Sequence, residues 1–190
     1  MTDPLEQSHS GGYRLEPRGG PSVRTDIVDV YVFREAIAGS IELLLLERAS
    51  QPLKETWQPV MGHVEQGESA LQTAVREVRE EVGLDPENPM IWGGWALEQV
   101  HPYYVAAIDS IVLSPRFALR VATDWVPTLN AEHTRFKWLH IALDNPQPAL
   151  GALLWPGQRS AVLEIMSDLL DCDSPTARAL AVDWCSRQEP

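Results

Sequence analysis

Short runs of β-branched, aromatic and leucine residues recur along the chain and predict a succession of β-strands. Between them, a longer segment places its apolar residues four, three and four positions apart, which is the one-face repeat of an α-helix. These residues are Leu71, Val75, Val78 and Val82. Further helices are predicted over 158–170 and within 175–187, and strands over 26–33, 40–47, 91–100, 103–113 and 116–122. A helix with strands on both sides of it in sequence is typical of a layered α+β or α/β domain.

Three glutamates share another face of the same helix, since Glu77 is followed by Glu80 and Glu81 at three and four positions. Two carboxylates about 4 Å apart repel by roughly 4 kcal/mol at an effective dielectric constant of about 20. Protonation of one carboxyl group relieves this repulsion, and so does a divalent cation such as Mg²⁺ or Mn²⁺, which carboxylate oxygens suit. An acidic run of this kind is also typical of a solvated helix face, so the residues alone leave both interpretations open.

The spacing around these glutamates is that of a long sequence motif. The stretch GHVEQGESALQTAVREVREEVGL runs from Gly62 to Leu84 and includes Glu68, Arg76 and Gly83 at fixed distances from the glutamates. It resembles the Nudix box at every fixed position, and the resemblance extends over residues 26–170. The resemblance implies an α/β/α sandwich with a mixed β-sheet. It also implies hydrolysis of a nucleoside diphosphate linked to another moiety.

The resemblance assigns roles to the motif residues. The implied metal ligands are Glu77, Glu80, Glu81 and the carbonyl of Gly62. The implied cation is Mg²⁺, with Mn²⁺ as a substitute. Glu68 is expected to bind Arg76 and so to attach the loop to the helix. Neither residue would bind the metal, but both would orient the residues that do. The three helix glutamates are also the implied catalytic groups, and the identity of the general base stays open.

Segments in and beyond the box, WQPVMGHVEQGE, AEHTRFKWL and WPGQRSAVLEI, are similar to bacterial dihydroneopterin triphosphate pyrophosphatases. This resemblance implies that Glu132 completes the metal site as a ligand or as the base. It also implies that Arg48 and Gln58 contact the substrate, although a surface charge after a strand explains Arg48 equally well. His63 stands where many relatives have Gly or Ser, and both chain ends are longer, which leaves the substrate open.

Net charge, hydropathy and cysteine content indicate which partners and which cellular compartment to expect. The formal net charge of −12 argues against a nucleic-acid-binding surface, because such surfaces neutralise phosphates with Lys and Arg. A bound divalent cation would reverse the local sign of the site for a small phosphoanhydride substrate. No apolar run is long enough to span a membrane, and no signal peptide is visible. Cys172 and Cys185 are therefore expected to be reduced thiols in a cytoplasmic protein, rather than a disulfide.

The expected organisation is a flexible tail over 1–22, a Nudix hydrolase domain over 23–171 and a C-terminal extension over 172–190 with a short helix. The favoured function is a Mg²⁺-dependent pyrophosphohydrolase that releases pyrophosphate from a dNTP or from dihydroneopterin triphosphate. A dinucleoside polyphosphate or nucleotide-sugar (ADP-ribose) hydrolase is the alternative within the enzyme class. A non-catalytic ligand-sensing module is the alternative outside it, and family habit allows a homodimer.

Overall fold

A computed structural model describes residues 19–36, 39–51 and 53–185 as a succession of strands with few helices. The strands are β1 (Ser22–Arg24), β2 (Ile27–Glu35), β3 (Ser40–Arg48), β4 (Trp57–Gln58), β5 (Val60–His63), β6 (Ile91–Ala96), β7 (Tyr103–Val105), β8 (Ser110–Val112), β9 (Arg116–Val121) and β10 (His133–Ala142). The helices are α1 (Ala70–Val82), α2 (Gln147–Leu150), α3 (Pro156–Glu164) and α4 (Pro175–Leu180). A 3₁₀ turn covers Ala106–Ile108, and a π-helical turn covers Ile165–Leu169.

The main sheet is mixed. Its central path runs β10-β3-β2-β9-β6, with β4 paired to β3 and β5 paired to β2. Strands β2 and β9 are parallel, whereas the other neighbours along the path are antiparallel. Strands β1, β8 and β7 form a smaller sheet. Helix α1 packs on one face of the main sheet and α3 on the other, so the predicted α/β/α sandwich with a mixed sheet is confirmed.

Side-chain alternation along β2 divides the hydrophobic core into two clusters. Val30 and Val32 pack with residues of α1, whereas Tyr31 and Phe33 pack with residues of α3. The leucines of β3 are divided between the two clusters in the same way. This strand is therefore buried on both faces, which explains why its sequence lacks polar alternation.

Helix α1 begins and ends at residues suited to those positions. The Ser69 hydroxyl accepts a hydrogen bond from the Gln72 N–H, and the Gln72 side chain accepts one from the Ser69 N–H at 2.7 Å. This reciprocal pair is a capping box. At the other end Gly83 adopts a φ of 68°, and its N–H donates to the Arg79 carbonyl. An N-cap of this kind contributes about 1 kcal/mol, and it fixes where the acidic face of α1 starts.

Three expected elements differ in the structure. The strand expected over 91–100 ends at Ala96, and residues 97–100 form no strand. The strand expected over 103–113 is divided, because Asp109 takes a left-handed φ of 44° after the 3₁₀ turn and the chain reverses into β8. The helix expected over 158–170 begins earlier, at Pro156, whose fixed φ suits the first helical turn. It then passes into the π-helical turn after Glu164.

The structure describes only part of each expected chain end. Residues 1–18 of the expected N-terminal tail lie outside the described residues, and Ser22 already belongs to β1, which pairs with β8. The C-terminal helix is limited to α4, and the chain then runs along β6, where the Val182 N–H donates to the Gly94 carbonyl at 2.9 Å. Trp184 at the end of this segment is buried.

Both cysteines, Cys172 and Cys185, are free and exposed, as expected for reduced thiols. The Cys185 thiol donates to the Pro86 carbonyl at 2.9 Å. Across the described ranges, no helix is both long enough and apolar enough to cross a membrane.

Candidate active site

The carboxylate of Glu77 lies directly against the backbone of Gly62. Strand β5 pairs with β2 beneath helix α1, which brings Gly62 under the acidic face of the helix. A Cβ atom at Gly62 would lie 1.9 Å from both Cδ and Oε1 of Glu77. Only glycine at this position therefore allows the Glu77 side chain to occupy this space.

Arg76 ties the loop before α1 to the helix. Its Nε and Nη2 atoms donate to the two carboxylate oxygens of Glu68, at 2.8 and 3.0 Å, and Nη2 also donates to the His63 carbonyl at 2.9 Å. Thr73 donates to Glu68 at 2.8 Å as well. The Arg76 hydrogen bonds are the main reason that the pKa of Glu68 falls to about 2. A charge-assisted bidentate pair of this kind fixes the geometry of both side chains.

The remaining guanidinium nitrogen of Arg76 faces the acidic cluster. Its Nη1 atom donates to Glu77 Oε1 at 2.7 Å and lies 3.4 Å from Glu80 Oε2. Burial raises the pKa of Glu77, Arg76 opposes this shift, and the charges of Glu81 and Glu80 add to it. Arg76 thus offsets part of the repulsion that the spacing of these glutamates predicts.

Glu81 is the most deeply buried carboxylate of the cluster, and it faces a histidine from another element. Its side chain is 3% exposed and that of His133 is 1% exposed, with 3.1 Å between Glu81 Oε2 and His133 Nε2. Glu81 Oε2 and His133 Nε2 form a close contact without the geometry of a hydrogen bond, and neither has another such partner among the residues that the structure describes. Burial raises the pKa of Glu81, whereas His133 lowers it.

The segment before β10 carries Glu132 to the same place. The Thr128 N–H donates to the Val82 carbonyl at 2.9 Å, and the Asn130 N–H donates to the Glu81 carbonyl at 3.3 Å. The Asn130 side chain then accepts from the Glu132 N–H at 3.0 Å. The charge of Glu132 raises the pKa of Glu81, which places the two carboxylates within electrostatic reach of each other.

The two predicted substrate contacts are placed differently. Arg48 is directly paired with His133 in the sheet, and its buried Nε atom has no hydrogen bond among the described residues. Its role as a phosphate contact stays a prediction. Gln58 is 6% exposed and lies opposite Leu46, whose side chain belongs to the α1 cluster. Its role as a substrate contact stays a prediction.

The donor set suits a hard divalent cation. The candidate ligands are carboxylates and one backbone carbonyl, the oxygen donors that Mg²⁺ prefers, and the buried Glu81 Oε2 lacks a hydrogen bond within the described ranges. As placed, however, no three His, Cys, Asp or Glu side chains of the described chain converge closely enough to form a complete metal site. Arg76 and His133 hold the carboxylates in this arrangement.

Two residues near the site have no motif that assigns them a role in the sequence. They are His133, within the segment AEHTRFKWL, and Asn130, which precedes that segment. His133 contacts the Glu81 side chain and Asn130 donates to the Glu81 carbonyl, so both act across a large separation in sequence. The Glu132-His133 dipeptide is the only sequence signal for His133. If Glu132 lies at the acidic cluster, the adjacent histidine can reach a carboxylate of that cluster.

A substitution at Gly62 tests the packing of Glu77. Gly62→Ala is expected to lower turnover about tenfold, equivalent to about 1.4 kcal/mol, because the added Cβ displaces the Glu77 carboxylate. The measurement is kcat on the best substrate found, with the thermal midpoint recorded alongside. Gly151→Ala is the matched control, since φ there is −63° and a Cβ would make ordinary contacts at 3.5 Å. Equal turnover in both variants would contradict the packing argument.

Comparison with known proteins gives this arrangement a family. The NUDIX domain family matches residues 23–150, about two thirds of the chain. The chain belongs to the NUDIX domain family. The resemblance of the Gly62–Leu84 stretch to the Nudix box is thereby confirmed at the level of the whole domain.

Individual relatives of this NUDIX protein act on different phosphoanhydrides, according to their names. The bis(5′-nucleosyl)-tetraphosphatase [asymmetrical] of Sus scrofa is 34% identical over 109 residues, which are 53% of this chain and 65% of that protein. The dihydroneopterin triphosphate diphosphatase of Escherichia coli K12 is 51% identical over 43 residues, 23% of this chain and 27% of that protein. The chain therefore spans less than two thirds of these relatives.

The fold of this NUDIX protein also matches solved structures. The E. coli dihydroneopterin triphosphate pyrophosphohydrolase superposes with a TM-score of 0.59 at 23% identity, over 76% of this chain and 94% of that one. At this identity the likeness concerns the fold, and it agrees with the mixed sheet and the helices on both faces.

Proposed function

We propose that this NUDIX protein hydrolyses a phosphoanhydride bond in a small nucleotide-like substrate, with Mg²⁺ held by Glu77, Glu80, Glu81 and Glu132. The observation that carries the proposal is the buried Glu81 carboxylate on the same helix face as Glu77 and Glu80, with the segment that bears Glu132 bonded to the end of that helix. A buried carboxylate is costly unless a cation or a hydrogen-bond donor balances its charge. The carbonyl of Gly62 would complete the ligand set.

The residues of the chain have separate tasks in this proposal. When bound, the cation would lower the pKa of water and neutralise charge on the phosphoryl group. Arg76 holds the Glu77 carboxylate by a hydrogen bond, and the His133 ring contacts the Glu81 carboxylate. Glu132 is exposed on a loop that Asn130 tethers, and it serves as a ligand or as the base. Arg48, paired with His133 at the end of β3, is the proposed contact to a substrate phosphate.

The favoured substrates are a dNTP or dihydroneopterin triphosphate, cleaved with release of pyrophosphate. The similarity to the E. coli dihydroneopterin triphosphate diphosphatase supports this choice, since its matching segment is 51% identical. A dinucleoside polyphosphate is the second candidate, because the bis(5′-nucleosyl)-tetraphosphatase of Sus scrofa matches over a longer segment, 109 residues. A homodimer and a cytoplasmic location stay predictions, as does the absence of nucleic-acid binding.

A ligand-sensing module without catalysis is the alternative of another class. The NUDIX domain of Shewanella oneidensis NrtR, solved with ADP-ribose, shares the fold with a TM-score of 0.53 at 15% identity. Every acidic position of the box is present in this chain, which favours catalysis over sensing alone.

A hydrolysis screen with and without cation tests the proposal. The substrates are the four dNTPs, dihydroneopterin triphosphate, diadenosine tetraphosphate and ADP-ribose. We expect turnover with Mg²⁺, a loss of at least about a hundredfold after chelation, and recovery on addition of Mg²⁺ or Mn²⁺. Release of pyrophosphate with a monophosphate supports the favoured substrates. Two nucleotides that together carry the four phosphates, such as ATP and AMP, indicate a dinucleoside polyphosphate, and two monophosphates indicate a nucleotide sugar. Absence of turnover on every substrate with Mg²⁺ present would overturn the hydrolase proposal.

A further inference from the structure

A cleft outside the candidate active site lies along helix α1. Its walls are the helix, the loop 85–89 that follows it and the segment 183–185 near the C-terminus, and its volume is about 820 Å³. The Cys185 thiol donates to the Pro86 carbonyl at 2.9 Å, which joins the loop to the C-terminal segment. Sites for small molecules commonly have volumes of about 300 to 1,000 Å³. The cleft is therefore large enough for a small organic ligand.

The cleft is separate from the acidic cluster, although Arg76 contacts both. Arg76 lines the cleft, but its guanidinium nitrogens donate to Glu68 and Glu77 on the other side. None of the four glutamates of the proposed metal site lines the cleft. A ligand in the cleft would therefore meet a set of side chains that the proposed hydrolytic mechanism does not use.

Two amide side chains of the cleft have donors that are not used. Gln72 Oε1 accepts from the Ser69 N–H at 2.7 Å, and Asn88 Oδ1 accepts from the Met90 N–H at 2.9 Å. A backbone N–H can only donate, so these contacts identify the amide oxygens and leave the two NH₂ groups as donors. Within the described ranges, neither NH₂ group has a hydrogen-bond acceptor. Both side chains line the cleft, so it offers donors without acceptors from this pair.

Arg79 adds a positive charge to these donors. It lies about two helical turns from Gln72 along α1 and lines the same cleft. Its side chain is exposed, and its guanidinium makes no ion pair or hydrogen bond to another residue that the structure describes. The first turn of α1 has no acidic residue, so the positive end of the helix dipole near Gln72 also favours an anion. The polar groups that α1 leaves unused here therefore suit a negatively charged acceptor.

Carboxylates of the cleft limit the charge of such a ligand. They belong to Asp85, Glu87 and Asp183. Glu87 and Asp183 already take part in other interactions, and Asp183 Oδ1 accepts from the Cys185 N–H at 3.1 Å. Their negative charges, together with the net charge of −12 of the chain, oppose the binding of a polyphosphate. A ligand with a single negative charge suits the cleft better than a nucleoside triphosphate does.

We propose that this cleft binds a small organic anion with one carboxylate on an apolar body. The carboxylate pairs with Arg79 and accepts from the NH₂ group of Gln72 or Asn88. The apolar body lies against Leu71 and Val75, which line the cleft on α1. The site is distinct from the proposed substrate site, and the inference does not depend on the hydrolase function.

Binding of hydrocinnamate to the full chain tests the proposal. Hydrocinnamyl alcohol is the uncharged probe with the same apolar body, and Mg²⁺ is left out so that the candidate metal site attracts no anion. Trp184 lines the cleft, and its Nε1–H makes no hydrogen bond to any described residue, so its indole NMR signal, identified with Trp184→Phe, reports an occupant. We expect hydrocinnamate to shift this signal with a Kd of about 1 mM or below, and to bind at least about tenfold more tightly than the alcohol. The signal of Trp92, which is 55% exposed on β6, should not shift.

Two variants remove the proposed donors one at a time. Arg79→Gln removes an exposed charge, and we expect it to weaken hydrocinnamate binding about tenfold. Gln72→Glu keeps an oxygen for the Ser69 N–H, so the capping box is retained, but it replaces the NH₂ group by a negative charge. We expect it to weaken binding at least about tenfold. Arg178→Gln is the matched control with unchanged binding, because Arg178 is also an exposed helix arginine, on α4, and lies outside the cleft.

Three results would overturn the inference. The first is a Trp184 signal that does not shift at about ten times the expected Kd of hydrocinnamate. The second is equal binding of hydrocinnamate and its alcohol, since an apolar surface without anion recognition would explain it. The third is equal binding in wild type and Arg79→Gln, or an equal loss in Arg79→Gln and Arg178→Gln, which would reflect net charge alone. Calorimetric titration of the same variants gives an independent measure of each Kd.

Discussion

Glu81→Gln is expected to lower turnover at least about a hundredfold, the size of effect typical when a group that stabilises transition-state charge is removed. Glu81 is the most buried carboxylate of the cluster. It belongs to α1, and its backbone carbonyl accepts from the segment that carries Glu132. Glutamine keeps the size of the side chain but removes the charge that a cation requires. The measurement is kcat at saturating Mg²⁺ on the substrate that the screen identifies.

The thermal stability of Glu81→Gln distinguishes a loss of catalysis from unfolding of the variant. Burial raises the pKa of Glu81 above its ordinary value, so the ionised form costs folding free energy at neutral pH, and the neutral amide relieves that cost. The thermal midpoint of Glu81→Gln should therefore be unchanged or higher while turnover falls. Glu42→Gln is the matched control, because Glu42 pairs with Arg34 at 2.7 Å toward the far end of β3. Near-normal turnover in Glu81→Gln would remove this residue from the mechanism.

The helix, its acidic face and the layered fold could be predicted because they depend on local periodicity. Valines at helical spacing define the buried side of α1. Ser69 marks its start through a side-chain cap, and Gly83 marks its end through a left-handed φ. The same local information cannot place strands as short as β4 and β5, which are held by pairing with β3 and β2 rather than by their own sequence pattern.

Contacts between distant segments could not be predicted from the sequence. His133 contacts Glu81 only because β10 lies beside β3 and the preceding segment is tethered to the end of α1. Asp29 lies in a typical strand pattern that gave no indication of a buried charge beside Arg116, since the parallel pairing of β2 with β9 is a tertiary property. The candidate ligands were predicted through the family resemblance, and their roles stay predictions.

The second large effect is expected on stability, at Trp184 in the C-terminal extension. This side chain packs into the hydrophobic core. Trp184 is 4% exposed and meets Phe117 edge-on, with 6.4 Å between ring centroids. Gly94 on β6 allows this approach, because a Cβ there would lie 3.0 Å from the Trp184 ring. Trp184 belongs to the same buried cluster as Val78 and Val82 of α1, so the extension supports the helix that carries the acidic face.

Trp184→Ala is accordingly expected to lower the free energy of unfolding by about 3–5 kcal/mol, the usual cost of emptying a buried tryptophan site. The measurement is urea unfolding followed by circular dichroism. Trp92→Ala is the control, because Trp92 on β6 is 55% exposed and its loss should cost less than about 1 kcal/mol. A Trp184→Ala protein as stable as the Trp92→Ala protein would show that the extension is an appendage. A large difference would make the C-terminal segment a structural part of the domain, and deletion of 175–190 should then destabilise α1 together with the rest of the core.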